Sequence, residues 1–280
     1  MEKYVNAPTK KIKTDQGHVF AYREVGNSTG IPLIALIHLS GNLDNWDPTV
    51  IDGIATKHHI ILPDYLGVGG SNGPAATSIQ AMAIDILEFI HQLGYSQINL
   101  FGFSMGGFVA QEMIVRDPKL IHRAILTGTG PRGGEGIENV TRISDQSLIK
   151  AIFTFKDVKT YLFFTRTANG KQESKKYLSR IKSRTHDRDK GITWSVYRKQ
   201  LTAIHNWASE APIDFSNAAF PVLVANGEDD IMVPTKPNSE QLANSFKLSK
   251  LVLYPDAGHA GVFQYAANFV KEVNQFLDIP

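Results

Sequence analysis

Short runs of Val, Ile, Leu and aromatic residues alternate, in the N-terminal third of the chain, with segments rich in Gly, Pro and polar residues. The runs at residues 18–25 and 32–39 are separated by turn-forming residues at 26–30, and this pattern predicts a β-hairpin. Residues 58–62 form a third run, and residues 97–103 form a fourth run that leads into a glycine-rich segment. The pattern therefore predicts four strands in this part of the chain.

A helix is predicted between the third and fourth runs. Apolar side chains recur at helical spacing over residues 79–93, with Ser78 as the predicted N-cap and Gly94 as the predicted stop. The alternation continues with further elements: a helix at 105–116, strands at 121–127, 221–225 and 250–254, and a helix at about 262–277. Strands and helices that alternate in this way, with near-continuous apolar strands, predict an α/β fold with a mostly parallel central sheet and helices on both faces.

Residues 132–214 interrupt this alternation. They contain three helical segments, at 146–155, 173–183 and 194–209. They contain no convincing buried strand. We interpret this segment as a helical cap inserted into a core formed by residues 1–131 and 215–280. The segment holds 16 Lys and Arg residues against 9 Asp and Glu residues, a net charge of +7, which leaves −5 for the core. Such a charge indicates either a solvated helical surface or a cap that attracts an anionic substrate or partner.

Composition excludes several classes of function. The net charge of the whole chain is only +2, so nothing demands a nucleic acid or another polyanion as partner. The chain has no cysteine, which excludes disulfides, thiolate catalysis and thiolate metal sites. No apolar run approaches the roughly 18 residues of a membrane span, and the N-terminal residues lack the apolar core of a signal peptide. We expect a cytoplasmic protein; the sequence leaves its oligomeric state open.

The glycine-rich segment after the fourth run has the pattern G-x-S-x-G, with Ser104 between Gly102 and Gly106. The apolar strand ends just before Ser104 and a helix begins just after it, which is the strand, sharp turn and helix that a nucleophile elbow requires. Neighbours without a Cβ suit a seryl residue held in a strained turn, and Gly107 lets the helix pack closely on the sheet. We therefore predict that Ser104 is a nucleophile.

Serine needs a base to take its proton and a carboxylate to orient that base. His259 lies on a loop just after the strand at 250–254, and Asp229 and Asp230 lie just after the strand at 221–225. Sites of open parallel sheets lie beyond the carboxyl ends of the strands. Ser104, His259 and one of these aspartates are therefore predicted to meet in one catalytic site.

These motifs resemble those of the α/β-hydrolase superfamily, in its cofactor-free serine branch of carboxylesterases, lactonases, C–C bond hydrolases and bacterial haloperoxidases. The resemblance covers nearly the whole chain except residues 132–214. The acid motif of the family, a Gly followed three places later by Asp and four more by Pro, falls on Gly227, Asp230 and Pro234, which favours Asp230 over Asp229. The terminal Gly-His of the family falls on Gly258 and His259.

Two departures from the family pattern are visible. The turn at residues 64–71 has Leu66 where Arg is usual. After the second run the family usually has His-Gly, whereas this chain has His38, Leu39, Ser40 and Gly41. The oxyanion hole of such an enzyme uses backbone N–H groups, so the resemblance implies Met105 as one donor and either Leu39 or Ser40 as the other. The Leu39 side chain would also narrow the acyl pocket.

The resemblance implies hydrolysis of a small or medium carboxylic ester or related acyl substrate through an acyl-enzyme on Ser104, with no cofactor and no metal. The same three residues would equally serve a haloperoxidase or perhydrolase, or a C–C bond hydrolase. A ligand receptor with slow turnover is a further alternative, because fold does not decide function.

Overall fold

A computed structural model describes residues 2–278, so Met1, Ile279 and Pro280 lie outside the described residues. It contains one eight-stranded sheet in the order β1-β2-β4-β3-β5-β6-β7-β8. The strands are β1 (Lys10–Lys13), β2 (Val19–Val25), β3 (Leu33–Leu36), β4 (Ile60–Pro63), β5 (Ile98–Phe103), β6 (Ile121–Thr127), β7 (Val222–Gly227) and β8 (Ser249–Tyr254). The β1–β2 and β2–β4 pairs are antiparallel and every other pair is parallel, which confirms the mostly parallel sheet.

The predicted hairpin at residues 18–39 is wrong. β2 pairs with β1 and β4, whereas β3 lies between β4 and β5 in parallel. All four residues of β3 are buried, as are all four of β4, so these strands belong in the interior of a sheet that is covered on both faces. The turn-forming residues at 26–30 instead let the chain pass over β4.

Ten α-helices surround the sheet in the described part of the chain. They are α1 (Pro48–Ala55), α2 (Ile79–Gln92), α3 (Met105–Arg116), α4 (Val140–Thr154), α5 (Lys159–Leu162), α6 (Ala168–Ile181), α7 (Trp194–Ser209), α8 (Thr235–Asn244), α9 (Gly261–Gln264) and α10 (Ala266–Leu277). The Ser78 side chain accepts a hydrogen bond from the Ala81 N–H, which confirms the predicted N-cap of α2. The helix predicted at 262–277 is divided into α9 and α10 at Tyr265.

Residues 132–214, all of which are described, contain α4 to α7 and no strand. Ion pairing and aromatic packing hold this segment on the rest of the protein. The guanidinium of Arg180 in α6 binds both carboxylate oxygens of the buried Asp47, with Nε at 2.9 Å from each. Trp207 in α7 is fully buried and stacks on Phe108 of α3. The division into a core and a cap stays a prediction.

Helix α3 is the central helix of the fold. Its first ten residues are all buried, and it packs against β5 and α2. Burial of these ten residues fixes the position of the turn that precedes the helix, because this end of α3 cannot move without opening packed contacts. Within residues 2–278, no helix combines the length and apolar character needed to cross a membrane. The location of the protein in the cell stays a prediction.

Candidate active site

Ser104 lies in a strained turn between β5 and α3. Its φ of 58° and ψ of −121° fall in a region that non-glycine residues rarely adopt. The turn is possible because the backbone folds tightly on itself and on β3. A Cβ on Gly102 would lie 2.5 Å from the Gly106 carbonyl oxygen, and a Cβ on Gly106 would collide with the carbonyl of Leu36. The two glycines therefore allow the close packing that holds the Ser104 side chain at the end of β5.

Three side chains that lie far apart in the sequence form one hydrogen-bonded chain at the carboxyl ends of the strands. Ser104 Oγ lies 2.7 Å from His259 Nε2, and His259 Nδ1 lies 2.7 Å from Asp230 Oδ2. Ser104 follows β5, Asp230 follows β7 and His259 follows β8. All three residues are buried, with 7%, 6% and 2% of their surface exposed. Water therefore competes little for these hydrogen bonds.

The two neighbouring aspartates have different surroundings. Oδ1 of Asp230 accepts hydrogen bonds from the backbone N–H groups of Met232 at 2.7 Å and Val233 at 3.1 Å. These donors fix the carboxylate so that its other oxygen faces the imidazole. Asp229 is exposed, and its backbone N–H donates to the Ala257 carbonyl. The structure thus places Asp230, and not Asp229, against His259.

The turn at residues 38–41 lies beside this chain of hydrogen bonds. The Ser40 N–H donates to Oε1 of Gln200, at 2.8 Å, and the Gly41 N–H donates to the His38 carbonyl. Among residues 2–278, the N–H groups of Leu39 and Met105 donate to no protein acceptor. Of the two alternatives left open by the sequence, the Ser40 N–H therefore already has a protein acceptor, whereas the Leu39 N–H has none within residues 2–278.

His38 in the same turn is a buried neutral imidazole. Burial and the positive charge of Lys159 lower its pKa to about 3. Nδ1 lies 2.7 Å from the Leu39 carbonyl oxygen and must donate to it, which leaves Nε2 as an acceptor. The ring lies edge-to-face between Phe103 and Phe163. The imidazole of His38 therefore stabilises the turn through its hydrogen bond to the Leu39 carbonyl.

The loop that carries His259 is held by residues 163–169, which comprise the connection from α5 to α6 and the first two residues of α6. The Ala260 N–H donates to the Phe163 carbonyl at 3.0 Å, and the Phe163 ring lies 5.6 Å from the imidazole of His259. Asp256, on the same loop, accepts hydrogen bonds from three side chains: Thr165, Thr167 and Asn169. These hydrogen bonds lower the pKa of the Asp256 carboxyl, Asn169 first among them. The segment 132–214 thus contacts the loop on which the imidazole depends.

A cavity of about 230 Å³ adjoins the site between the turn at 38–41 and the helices α4, α5 and α7. Its wall is mainly apolar, with the side chains of Leu148, Val158, Leu162, Phe163, Ile192 and Trp194. Lys159 is the cation in this wall. The cavity borders the turn at 38–41 and the ring of Phe163, and this ring is the one that lies 5.6 Å from the imidazole of His259.

Asp64 lies in the turn that departs from the family pattern, and its contacts stabilise the fold and do not extend to the hydrogen-bonded chain of Ser104, His259 and Asp230. Its carboxylate accepts hydrogen bonds from the N–H groups of Leu43 and Gly70. Burial, followed by the neighbouring carboxyl of Asp189, raises its pKa well above the usual range. This pair links the turn to the segment 132–214 and contacts none of the three residues of the hydrogen-bonded chain.

One group of potential metal ligands was not singled out by the sequence. Atoms of His18, Asp85 and Glu88 lie within 4.8 Å of one another, and His18 Nδ1 pairs with Glu88 at 3.1 Å. All three residues are half-buried. The group lies at the start of β2 and on α2, and it shares no contact with Ser104, Asp230 or His259 in the described chain.

Gln200, Phe163 and Lys159 are the residues of this site that sequence reasoning missed. Gln200 lies 160 positions from the turn that it holds. Each occupies a helical or loop segment without a motif, so only the spatial arrangement identifies it.

Comparison with known proteins places this site in context. A family profile described as alpha/beta hydrolase fold matches residues 32–265. A solved alpha/beta hydrolase fold protein from Chitinophaga pinensis is 33% identical, with a TM-score of 0.94 and coverage of 100% of both chains.

Two curated proteins are more distantly similar. A protein of Agrobacterium fabrum, named provisionally as the carbamate hydrolase RutD, is 27% identical over 245 residues, which cover 85% of this chain and 90% of that protein. A protein of Mycobacterium tuberculosis, named provisionally as the non-heme bromoperoxidase BpoC, is 25% identical over 252 residues, with coverage of 85% and 90%.

Proposed function

The chain belongs to the alpha/beta hydrolase family, a membership that indicates a hydrolase enzyme, and on this basis we propose that it cleaves small or medium carboxylic esters through an acyl-enzyme on Ser104. The observation that carries this proposal is the continuous chain from Ser104 Oγ to His259 and on to Asp230, with 2.7 Å at each step. A buried serine that donates to a buried, oriented imidazole has the arrangement needed for nucleophilic attack.

The first half of the reaction forms the acyl-enzyme. His259 Nε2 takes the Oγ proton as Oγ bonds to the carbonyl carbon of the ester, which gives a tetrahedral intermediate. Asp230 accepts a hydrogen bond from Nδ1–H and stabilises the imidazolium. His259 then donates its proton to the departing alcohol oxygen, and the carbon–oxygen bond of the ester breaks.

The second half of the reaction repeats these steps with water. His259 takes a proton from water as the water oxygen bonds to the acyl carbon, which gives a second tetrahedral intermediate. The bond from that carbon to Oγ then breaks, His259 returns the proton to Oγ, and the carboxylic acid leaves. In both halves, the N–H groups of Met105 and Leu39 bind the oxyanion. Their lack of a protein acceptor supports this role, because each N–H would otherwise lie unsatisfied in the site.

We further propose that residues 132–214 act as a cap. They supply most of the wall of the 230 Å³ cavity, and Gln200 in α7 fixes the turn that holds Leu39. A cap of this kind excludes water and shapes the pocket.

A second candidate is perhydrolysis, in which hydrogen peroxide replaces water as the acceptor of the acyl group and a peracid is released. The similarity to a protein named as a bromoperoxidase favours it. The same three residues would serve both reactions, so the two differ only in the second half.

Turnover kinetics test the proposal. Ethyl esters of graded acyl length should give steady turnover after any burst, in the ordinary enzymatic range of about 1 to 10³ s⁻¹ for a good substrate. Ser104→Ala should abolish it. A stoichiometric burst without further turnover for every ester would favour the receptor alternative, and faster acyl transfer to peroxide than to water would favour perhydrolysis.

A further inference from the structure

Lys159 is a cation without a close acceptor in the wall of the cavity. Its side chain is only 18% exposed, and Nζ lies 3.8 Å from Asp157 Oδ1. This distance exceeds the range of a hydrogen bond, and the same oxygen already accepts the Lys159 backbone N–H at 3.0 Å. Among the described residues, no other acceptor pairs with Nζ. The three N–H donors of the ammonium are therefore available to a ligand.

The electrostatic surroundings of Lys159 favour an incoming anion. Burial lowers the pKa of its ammonium, Asp157 opposes that shift and the positive charge of Lys182 adds to it. The charge of Lys159 in turn lowers the pKa of His38, as expected for two groups on the wall of one cavity. An anion in this cavity would relieve the cost of holding the ammonium away from water.

The rest of the cavity limits the size and character of the occupant. Its volume of about 230 Å³ is below the roughly 300–1,000 Å³ of pockets for drug-sized ligands. Leu148, Leu162 and Ile192 give it apolar sides. A short hydrocarbon arm fits these sides, and a carboxylate at the end of such an arm would meet the one ammonium in the wall.

We propose that the substrate is a small ester that carries a carboxylate, and that Lys159 binds this carboxylate. The inference rests on the proposed ester hydrolysis and names its substrate class. A salt-bridged hydrogen bond between ammonium and carboxylate is short and about twice as strong as a neutral one. A neutral ester of the same shape would leave the ammonium without a partner.

A paired set of esters tests the proposal. Monoethyl succinate, glutarate and adipate are compared with ethyl butyrate, valerate and hexanoate, which have a methyl group where the diacids have a carboxylate. A second comparison places the carboxylate on the alcohol half, with O-butyryl glycolate against ethyl butyrate. The quantity measured is the ratio of kcat/KM for the anionic ester to kcat/KM for its neutral match.

Lys159→Met keeps the length and the apolar stem of the side chain but removes its charge. We expect this variant to lower the ratio about tenfold to hundredfold in at least one series, the loss expected when a hydrogen bond to a charged group is removed. Lys156→Met, at an exposed position of the same segment, is the matched control and should leave the ratio unchanged. An equal ratio in wild type and Lys159→Met, or an equal fall in Lys156→Met, would overturn the proposal.

Binding to the Ser104→Ala variant separates this inference from the proposed function. Calorimetric titration should show tighter binding of the anionic ester, and the double variant with Lys159→Met should lose this preference. If binding shows the preference but no ester is hydrolysed by the wild type, the carboxylate site stands and ester hydrolysis is wrong. If esters are hydrolysed but neither binding nor kcat/KM prefers the anion, Lys159 does not select a carboxylate.

Discussion

Replacing Asp230 by Asn tests the role of this side chain in the protonation of His259. The backbone N–H groups of Met232 and Val233 both point at Oδ1, so the amide introduced by Asp230→Asn would turn its oxygen toward them. Its NH₂ group would then face Nδ1 of His259, which must accept. The imidazole proton would consequently move to Nε2, where it faces Ser104 and prevents Oγ from donating its proton.

The hydrogen bonds set the size of the effect. Turning the amide over would restore an acceptor for Nδ1–H, but it would leave the two backbone N–H groups facing another donor. Each buried unsatisfied N–H costs about 1–3 kcal/mol, or about 2–6 kcal/mol for both. At 1.36 kcal/mol per tenfold, the competent orientation is populated about 30-fold to 3 × 10⁴-fold less often. We therefore expect kcat to fall by a factor in this range.

The assay compares kcat for one ester in wild type, Asp230→Asn and Asp229→Asn, at equal folded fraction by circular dichroism. Asp229 is exposed and should behave as a surface position, with kcat within about threefold of wild type. A loss below tenfold in Asp230→Asn would refute the reasoning from the amide orientation. An equal or larger loss in Asp229→Asn would transfer the role to that residue.

Two further predictions concern the turn at residues 38–41. Gln200→Leu removes the acceptor of the Ser40 N–H, so kcat should fall about tenfold and the free energy of unfolding should fall by about 1–3 kcal/mol. Substitution of His205, an exposed residue on the same helix, is the control and should change neither quantity. Since the pKa of His38 is about 3 in the folded protein and about 6.5 when unfolded, the unfolded chain takes up this proton first as the pH falls. The contribution of neutral His38 to the free energy of unfolding is complete above pH 6.5 and is lost between pH 6.5 and pH 3. By pH 5 the loss amounts to about 2 kcal/mol. Urea unfolding at pH 7 and pH 5 should show a smaller difference in His38→Asn than in wild type; an unchanged difference would contradict a buried neutral His38.

Local sequence signals were sufficient to predict the turn around Ser104 and the strands that end at the candidate active site. The glycines around Ser104 and the strand before it lie within a few residues of each other, and the tight turn with positive φ follows from them. His259 and Asp230 could be placed at the same edge because parallel strands share their carboxyl ends.

Contacts between distant segments left no comparable signal. The order of β2, β4 and β3 depends on which strands are buried on both faces, and a turn composition at 26–30 is compatible with a hairpin or with a crossing. The choice between Leu39 and Ser40 depends on Gln200, which reaches the turn only because α7 packs over it. Likewise, Lys159 becomes notable only through the cavity that α4, α5 and α7 enclose.

Covalent labelling of the nucleophile tests the central claim most directly. The wild-type protein is treated with a fluorophosphonate and the modified peptide is mapped by mass spectrometry. We predict one adduct per chain, on Ser104, with loss of ester turnover in parallel, and no adduct in His259→Ala, whose serine lacks its base. An adduct on another serine, or full labelling of Ser104 with turnover retained, would contradict an acyl-enzyme mechanism on this residue.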